Sequence, residues 1–145
     1  MINSRILIVD DSATIRAMVE ELLANQGNCP EIAMAPDVPE ARRLVEVFRP
    51  TIITLDLNMP GIDGFAFLDE LATYPHAPVV VVSSASTIGS AAAQRALDRG
   101  AAACFDKAKI LSESKAFIRT LKKASVRKMR TISSMPTAYV QTGSY

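Results

Sequence analysis

The stretch Thr51-Ile52-Ile53-Thr54-Leu55-Asp56-Leu57-Asn58-Met59-Pro60-Gly61-Ile62-Asp63-Gly64 decides the fold. Thr51–Leu55 is a nearly continuous apolar run bounded by breakers, which fits a strand buried on both faces. Met59–Gly64 is a loop by its Pro and Gly punctuation. Asp56 falls where the strand ends, so its carboxylate is delivered to the rim of a sheet.

The same design recurs outward from this stretch. Ile6–Val9 ends in Asp10-Asp11, Val79–Val82 ends in Ser83, and Ala102–Phe105 is followed by Lys107. Taken singly, each residue has an ordinary explanation: a turn or cap aspartate, a solvated lysine, a serine bonded to backbone. Their convergence at one rim is what departs from the ordinary. Carboxylates brought that close repel unless a cation neutralises them. Hard oxygen ligands with room for water suit Mg²⁺, and a lysine in the same pocket suits a phosphoryl group.

Helical patterns fill the gaps. Ser12 is placed to cap a helix whose Ile15, Met18, Val19, Leu22 and Leu23 share a face, and Gln26-Gly27-Asn28 stops it. Glu31–Ala35 reads as a weak strand. Asp37 caps a helix carrying Ala41, Leu44, Val45 and Phe48, with Pro39 tolerated in its first turn and Arg49-Pro50 as the break. Phe65, Leu68 and Leu71 mark a third helix, with Asp63 as its N-cap rather than part of the pocket. His76, between Tyr74-Pro75 and Pro78, reads as an exposed loop histidine rather than a phosphoryl carrier. Ala91–Arg99 is a fourth helix stopped by Gly100. The last, starting near Ser112, is read as carrying Ile110, Phe117, Ile118 and Leu121. Alternating strands and helices imply an α/β doubly wound five-stranded parallel sheet flanked by five helices. Such sheets bind ligands at the carboxyl ends of their strands.

With 145 residues, one domain with a full core is expected. The longest apolar run, Pro78–Val82, is far below a membrane span, no signal peptide is evident, and a cytoplasmic location follows as an expectation. Cys29 and Cys104 lack metal-ligand spacing and read as free thiols in a reducing compartment. The net charge of +1 hides an asymmetry. From Lys115 onward there are seven basic residues and no acidic ones, leaving nine basic against fifteen acidic before it. An acidic body does not favour nucleic acid. The basic residues suit the C-terminal end of the last helix. Residues 1–124 are read as the domain and 125–145 as a basic, then polar tail or linker.

Asp10-Asp11, Asp56 with Met59–Gly64, Ser83 after four valines, and Lys107 together resemble the receiver domains of two-component response regulators, over roughly residues 4–124. The resemblance implies a flavodoxin-like receiver fold and phosphorylation of Asp56 by a sensor histidine kinase or phosphotransfer protein. It implies Mg²⁺ held by Asp11, Asp56 and the backbone carbonyl of Asn58, with Asp10 acting through water. Lys107 and Ser83 would bind phosphoryl oxygens, and Ser83 would switch. Asn58 and Ala85 border the route of a hydrolytic water, and the small Ala85 implies a phosphoaspartate lifetime of minutes. Family members often pair through the face of the fourth and fifth helices, so a homodimer is open to this chain.

Two positions depart from the family pattern. Ala108 stands where proline usually follows the lysine; a non-proline cis bond costs about 3 kcal/mol, so a trans bond and a reshaped loop are expected. Cys104 stands where an aromatic switch residue is usual, so either Cys104 moves as a smaller switch residue or signalling relies on loop rearrangement alone; Phe105 faces the opposite side of the strand and belongs to the core. The expected function is a stand-alone phosphoacceptor regulator, not itself an enzyme on other substrates, whose output is contact with a downstream protein. A receiver cut from a larger protein would read the same. A pseudo-receiver working without phosphorylation and an aspartyl-phosphate phosphohydrolase are the alternatives; the latter wants Asp-x-Asp where this chain has Asp10-Asp11.

Overall fold

The computed structural model describes residues 4–27, 29–59, 64–73, 75–84 and 91–126. Five parallel strands, β1 Arg5–Val9, β2 Glu31–Ala35, β3 Ile52–Asp56, β4 Val79–Ser83 and β5 Ala103–Asp106, form one sheet in the order β2-β1-β3-β4-β5. The helices are α1 Ala13–Ala24, α2 Val38–Val47, α3 Gly64–Leu71, α4 Ala91–Asp98 and α5 Ser114–Ser125. The strand order reverses between β1 and β3. That switch point opens a crevice at their carboxyl ends.

Alternation along the strands sorts the core into two layers. Ile6, Ile8, Val80 and Val82 face Val19 and Leu23 of α1 and Phe117, Ile118 and Leu121 of α5. Leu7, Val9, Ile53, Leu55, Val79 and Val81 face the other side, where Ala41, Phe67, Leu68, Leu71 and Ala96 close over them. Each fully buried Leu, Ile or Phe adds about 1.5–3 kcal/mol of hydrophobic stabilisation. This pays for a rim crowded with buried polar groups.

Local signals set the element ends. Ser12 Oγ accepts the Ile15 N–H at 3.2 Å, and Asp37 Oδ1 accepts the Glu40 N–H at 2.9 Å, so both expected caps are present. Gly27 takes φ +80° just after α1, and Arg49 is forced to φ +54° before Pro50. Gly64 opens α3 against the preceding loop: a Cβ there would lie 2.7 Å from Leu57 Cδ2 and 3.1 Å from Leu57 Cα. Only glycine lets the helix start so near the loop that leaves Asp56.

Two expectations are corrected. His76 is buried, not exposed; Pro50, Ala77 and Pro78 are buried around the same rim, and His76 Nδ1 lies 2.6 Å from the Ala77 carbonyl oxygen. The last helix begins at Ser114 rather than near Ser112 and does not include Ile110, because a 3₁₀ turn at Lys107–Lys109 and the turn after it occupy the residues before it. Asp63, Ala85 and the segment 127–145 lie outside the described residues. Among the described residues no helix is long and apolar enough to cross a membrane.

Candidate functional site

The crevice between β1 and β3 gathers the acidic residues. Asp10 follows β1 and is nearly fully buried; the Ser12 N–H donates to its Oδ1 at 2.9 Å. Asp11, next in the chain, is exposed toward solvent. Asp56 ends β3 with 1% exposure, and the Asn58 N–H donates to its Oδ1 at 2.9 Å. Met59 is buried in the layer that carries Phe67 and Leu68. One carboxylate oxygen from each of Asp10, Asp11 and Asp56 lies within 4.8 Å of the others.

Lys107 enters from the end of β5. Its Nζ donates to Asp10 Oδ2 at 2.9 Å and to Asp56 Oδ2 at 3.0 Å. Burial pulls the Lys107 ammonium down, but its bonds to Asp10 and Asp56 outweigh that and hold its pKa above the ordinary value. Burial pushes the Asp10 carboxyl up, helped by the nearby charge of Asp56 and opposed by the Ser12 amide and Lys107. One ammonium thus bridges two of the three carboxylates, leaving net negative charge in the crevice. A donor set of hard oxygens with one exposed member, Asp11, fits a small divalent cation that keeps some of its water. The cluster could hold a metal ion.

Ser83 ends β4, fully buried, and its Oγ donates to Asn58 Oδ1 at 2.6 Å. The pairing of β4 with β3 and β5 places Val82 opposite Asp56 and Ser83 opposite Asp106. Asp10, Asp11, Asp56, Asn58, Ser83 and Lys107 therefore meet at one rim. The Asn58 carboxamide as the partner of Ser83 was not anticipated; residues 25 apart in sequence give no local signal of such a bond.

Cys104 and Phe105 diverge as successive strand residues must. The Cys104 thiol sits 3.7 Å from the Ala93 carbonyl of α4, in the layer with Leu7 and Val81, and burial pushes its pKa up. Phe105 turns to the opposite layer, its ring centroid 5.2 Å from that of Phe117. Among the described residues no peptide bond is cis, so Lys107 joins Ala108 through a trans bond, as expected.

A crevice at the switch point of a doubly wound sheet, lined by three carboxylates and one lysine, lies where folds of this class bind their ligands. The family model for the response regulator receiver domain matches residues 6–119, and the chain belongs to that family. It is 40% identical over 110 residues to a protein-glutamate methylesterase/protein-glutamine glutaminase of Thiobacillus denitrificans, covering 76% of this chain and 31% of that protein. It is 42% identical over 97 residues to the protein of the same name from Escherichia coli, covering 67% and 28% respectively. The chain thus spans less than a third of these relatives. Among solved structures, the response regulator domain of Thermotoga maritima CheB superposes with a TM-score of 0.76 at 25% identity, covering 85% of this chain and 96% of that one. The receiver domain of a DNA-binding response regulator from Colwellia psychrerythraea gives 0.72 at 26%, covering 83% and 98%.

Proposed function

We propose that this receiver accepts a phosphoryl group on Asp56 from a phosphohistidine of a sensor kinase or phosphotransfer protein. The observation that carries the reading is the placement of a nearly inaccessible Asp56 carboxylate against Lys107 Nζ, with two further carboxylates alongside. A carboxylate oxygen of Asp56 attacks phosphorus; an O–P bond forms as the donor's P–N bond breaks, and the electron pair leaves on the imidazole nitrogen. Acetyl phosphate would serve equally, with its P–O bond breaking and acetate leaving.

Lys107 already touches Asp56 Oδ2 and would follow the charge onto the phosphoryl oxygens. Asp11, Asp56 and the Asn58 carbonyl would hold Mg²⁺, with Asp10 reaching it through water. Bound there, it neutralises negative charge on the transferring group. The Ser83 hydroxyl would leave Asn58 Oδ1 and donate to a phosphoryl oxygen instead. Cys104 lies apart from this bond and holds α4 through Ala93, so loop rearrangement around Ser83 carries the switch in this reading.

The domain would comprise residues 1–124, with 125–145 as tail or linker. Its output would be contact with a downstream protein in the cytoplasm, and it would turn over no substrate besides its own phosphoaspartate. The methylesterase and glutaminase named for its relatives belong to chains more than three times as long as the matched region.

Incubation with acetyl phosphate and Mg²⁺ followed by intact mass tests the reading. A metal-dependent gain of one phosphate, lost in Asp56→Asn, is expected. Uptake that persists in the variant removes Asp56 from the role. No uptake in the native chain points to a pseudo-receiver, and steady hydrolysis of a foreign phosphoester points to a hydrolase.

A further inference from the structure

Asp106 has no part in the chemistry above, yet it caps the turn that begins at Lys107. It closes β5 opposite Ser83, with extended backbone at φ −74° and ψ 117°. Its Oδ1 accepts the Ala108 N–H at 3.0 Å and so caps the 3₁₀ turn Lys107–Lys109. The far side of that turn is held by Ile110, which is fully buried with Phe117 and Leu121, and by a long 3.4 Å bond from the Ile110 N–H to the Lys107 carbonyl. The Glu113 N–H then donates to the Lys109 carbonyl at 2.8 Å and leads the chain toward α5.

From this turn the Lys107 side chain must place Nζ 2.9 Å from Asp10 and 3.0 Å from Asp56 at once. A lysine stem is flexible, and reaching two fixed acceptors works only from a backbone held in one place. The Ile110 side chain anchors the turn in the apolar layer, whereas the Asp106 cap holds the amide just past the end of β5. It depends on residue 108 having an N–H, which proline would lack.

We propose that Asp106 is a positioning residue for phosphoryl transfer: its cap on the Ala108 amide aims Lys107 at Asp56. The kinetic side of this rests on the phosphoacceptor reading; the aiming does not. In Asp106→Ala, phosphorylation by acetyl phosphate at saturating Mg²⁺ slows about fivefold, the size of a lost cap. Asp106→Asn drops the charge but keeps the acceptor oxygen, and stays within about twofold of the native rate because Asn caps as well as Asp. In a Lys107→Ala background, Asp106→Ala adds nothing further, since its effect runs through the lysine.

Equal slowing in Asp106→Ala and Asp106→Asn would show a charge effect and overturn the cap. Undiminished slowing in the Lys107→Ala background would show that Asp106 acts elsewhere. Two readouts need no phosphorylation. Ala108 amide exchange should quicken in Asp106→Ala and not in Asp106→Asn, and a crystal structure of Asp106→Ala should show Lys107 Nζ off at least one carboxylate. A native chain that takes no phosphate defeats the proposed function alone, whereas Lys107 unmoved in Asp106→Ala defeats this inference.

Discussion

The two rims of the sheet are both charged, and they are charged in opposite manners. Where the strands begin, Arg5, Arg42, Arg49, Glu46 and Glu70 line an open cavity of about 980 Å³ with His76 in its wall. Charges there are of both signs and are met locally: Arg42 donates to both Glu70 oxygens at 2.6 and 3.0 Å, and Arg5 Nε donates to the Arg49 carbonyl at 2.6 Å. Where the strands end, three carboxylates crowd within 4.8 Å around one ammonium. The cavity at the strand starts holds charges of both signs, and the crevice at the strand ends holds a surplus of one. A surplus of one sign under burial, rather than cavity size or polarity, is what calls for a ligand.

The contrast breaks most visibly at Asp56. Replacing it with Asn should abolish metal-dependent phosphate gain, whereas Glu46→Gln at the opposite rim should leave the rate unchanged; intact-mass time courses compare the two. The next effect is thermodynamic. Mg²⁺ at about ten times its half-saturating concentration should stabilise the native chain by about 1.4 kcal/mol, read as a rise in melting temperature. Asp11→Asn should lose most of that rise and Glu46→Gln none of it. An equal rise in all three chains would mean the ion binds elsewhere.

A smaller effect sharpens the electrostatics. The pKa of Asp10 is raised by burial, so its folded form resists ionisation. A raised carboxyl contributes stability that is present below the ordinary pKa of 3.8 and lost as pH rises through the folded value. Metal-free Asp10→Asn should therefore be more stable than the native chain at pH 7, by about 1 kcal/mol for relief of an unbalanced buried charge. The gap should close as pH falls toward 3.8 and below. Urea melts at several pH values measure it, and a gap that widens in acid would reverse the sign. The smallest effect belongs to the rim where the strands begin: Arg42→Ala should cost about 0.5 kcal/mol or less, because its pair with Glu70 is largely exposed.

How much of this was legible in the chain depends on the range of the interaction. The caps at Ser12 and Asp37 were readable because partner and donor lie three residues apart. The divergence of Cys104 and Phe105 followed from the two-residue period of a strand, and the structure then showed which core layer each joins. His76 was misread because a Pro-flanked, polar-looking loop resembles a surface turn, whereas His76 is buried with its Nδ1 against the Ala77 carbonyl. The start of α5 was displaced because Ile110 packs in the same apolar layer as Phe117 and Leu121 and so reads as part of their helix, while the Asp106 cap that closes the 3₁₀ turn has no periodic signature.

By itself the sequence determined that buried parallel strands would end in Asp10, Asp56, Ser83 and the approach to Lys107, since hydrophobic periodicity and breakers act within a few residues. Only the tertiary structure decided that Lys107 bridges Asp10 and Asp56, that Asn58 holds Ser83, and that Asp106 steadies the turn beneath the lysine. Those bonds depend on strand order and register. Both are settled when the two apolar layers close, and no local pattern records the distance between side chains that closure brings together.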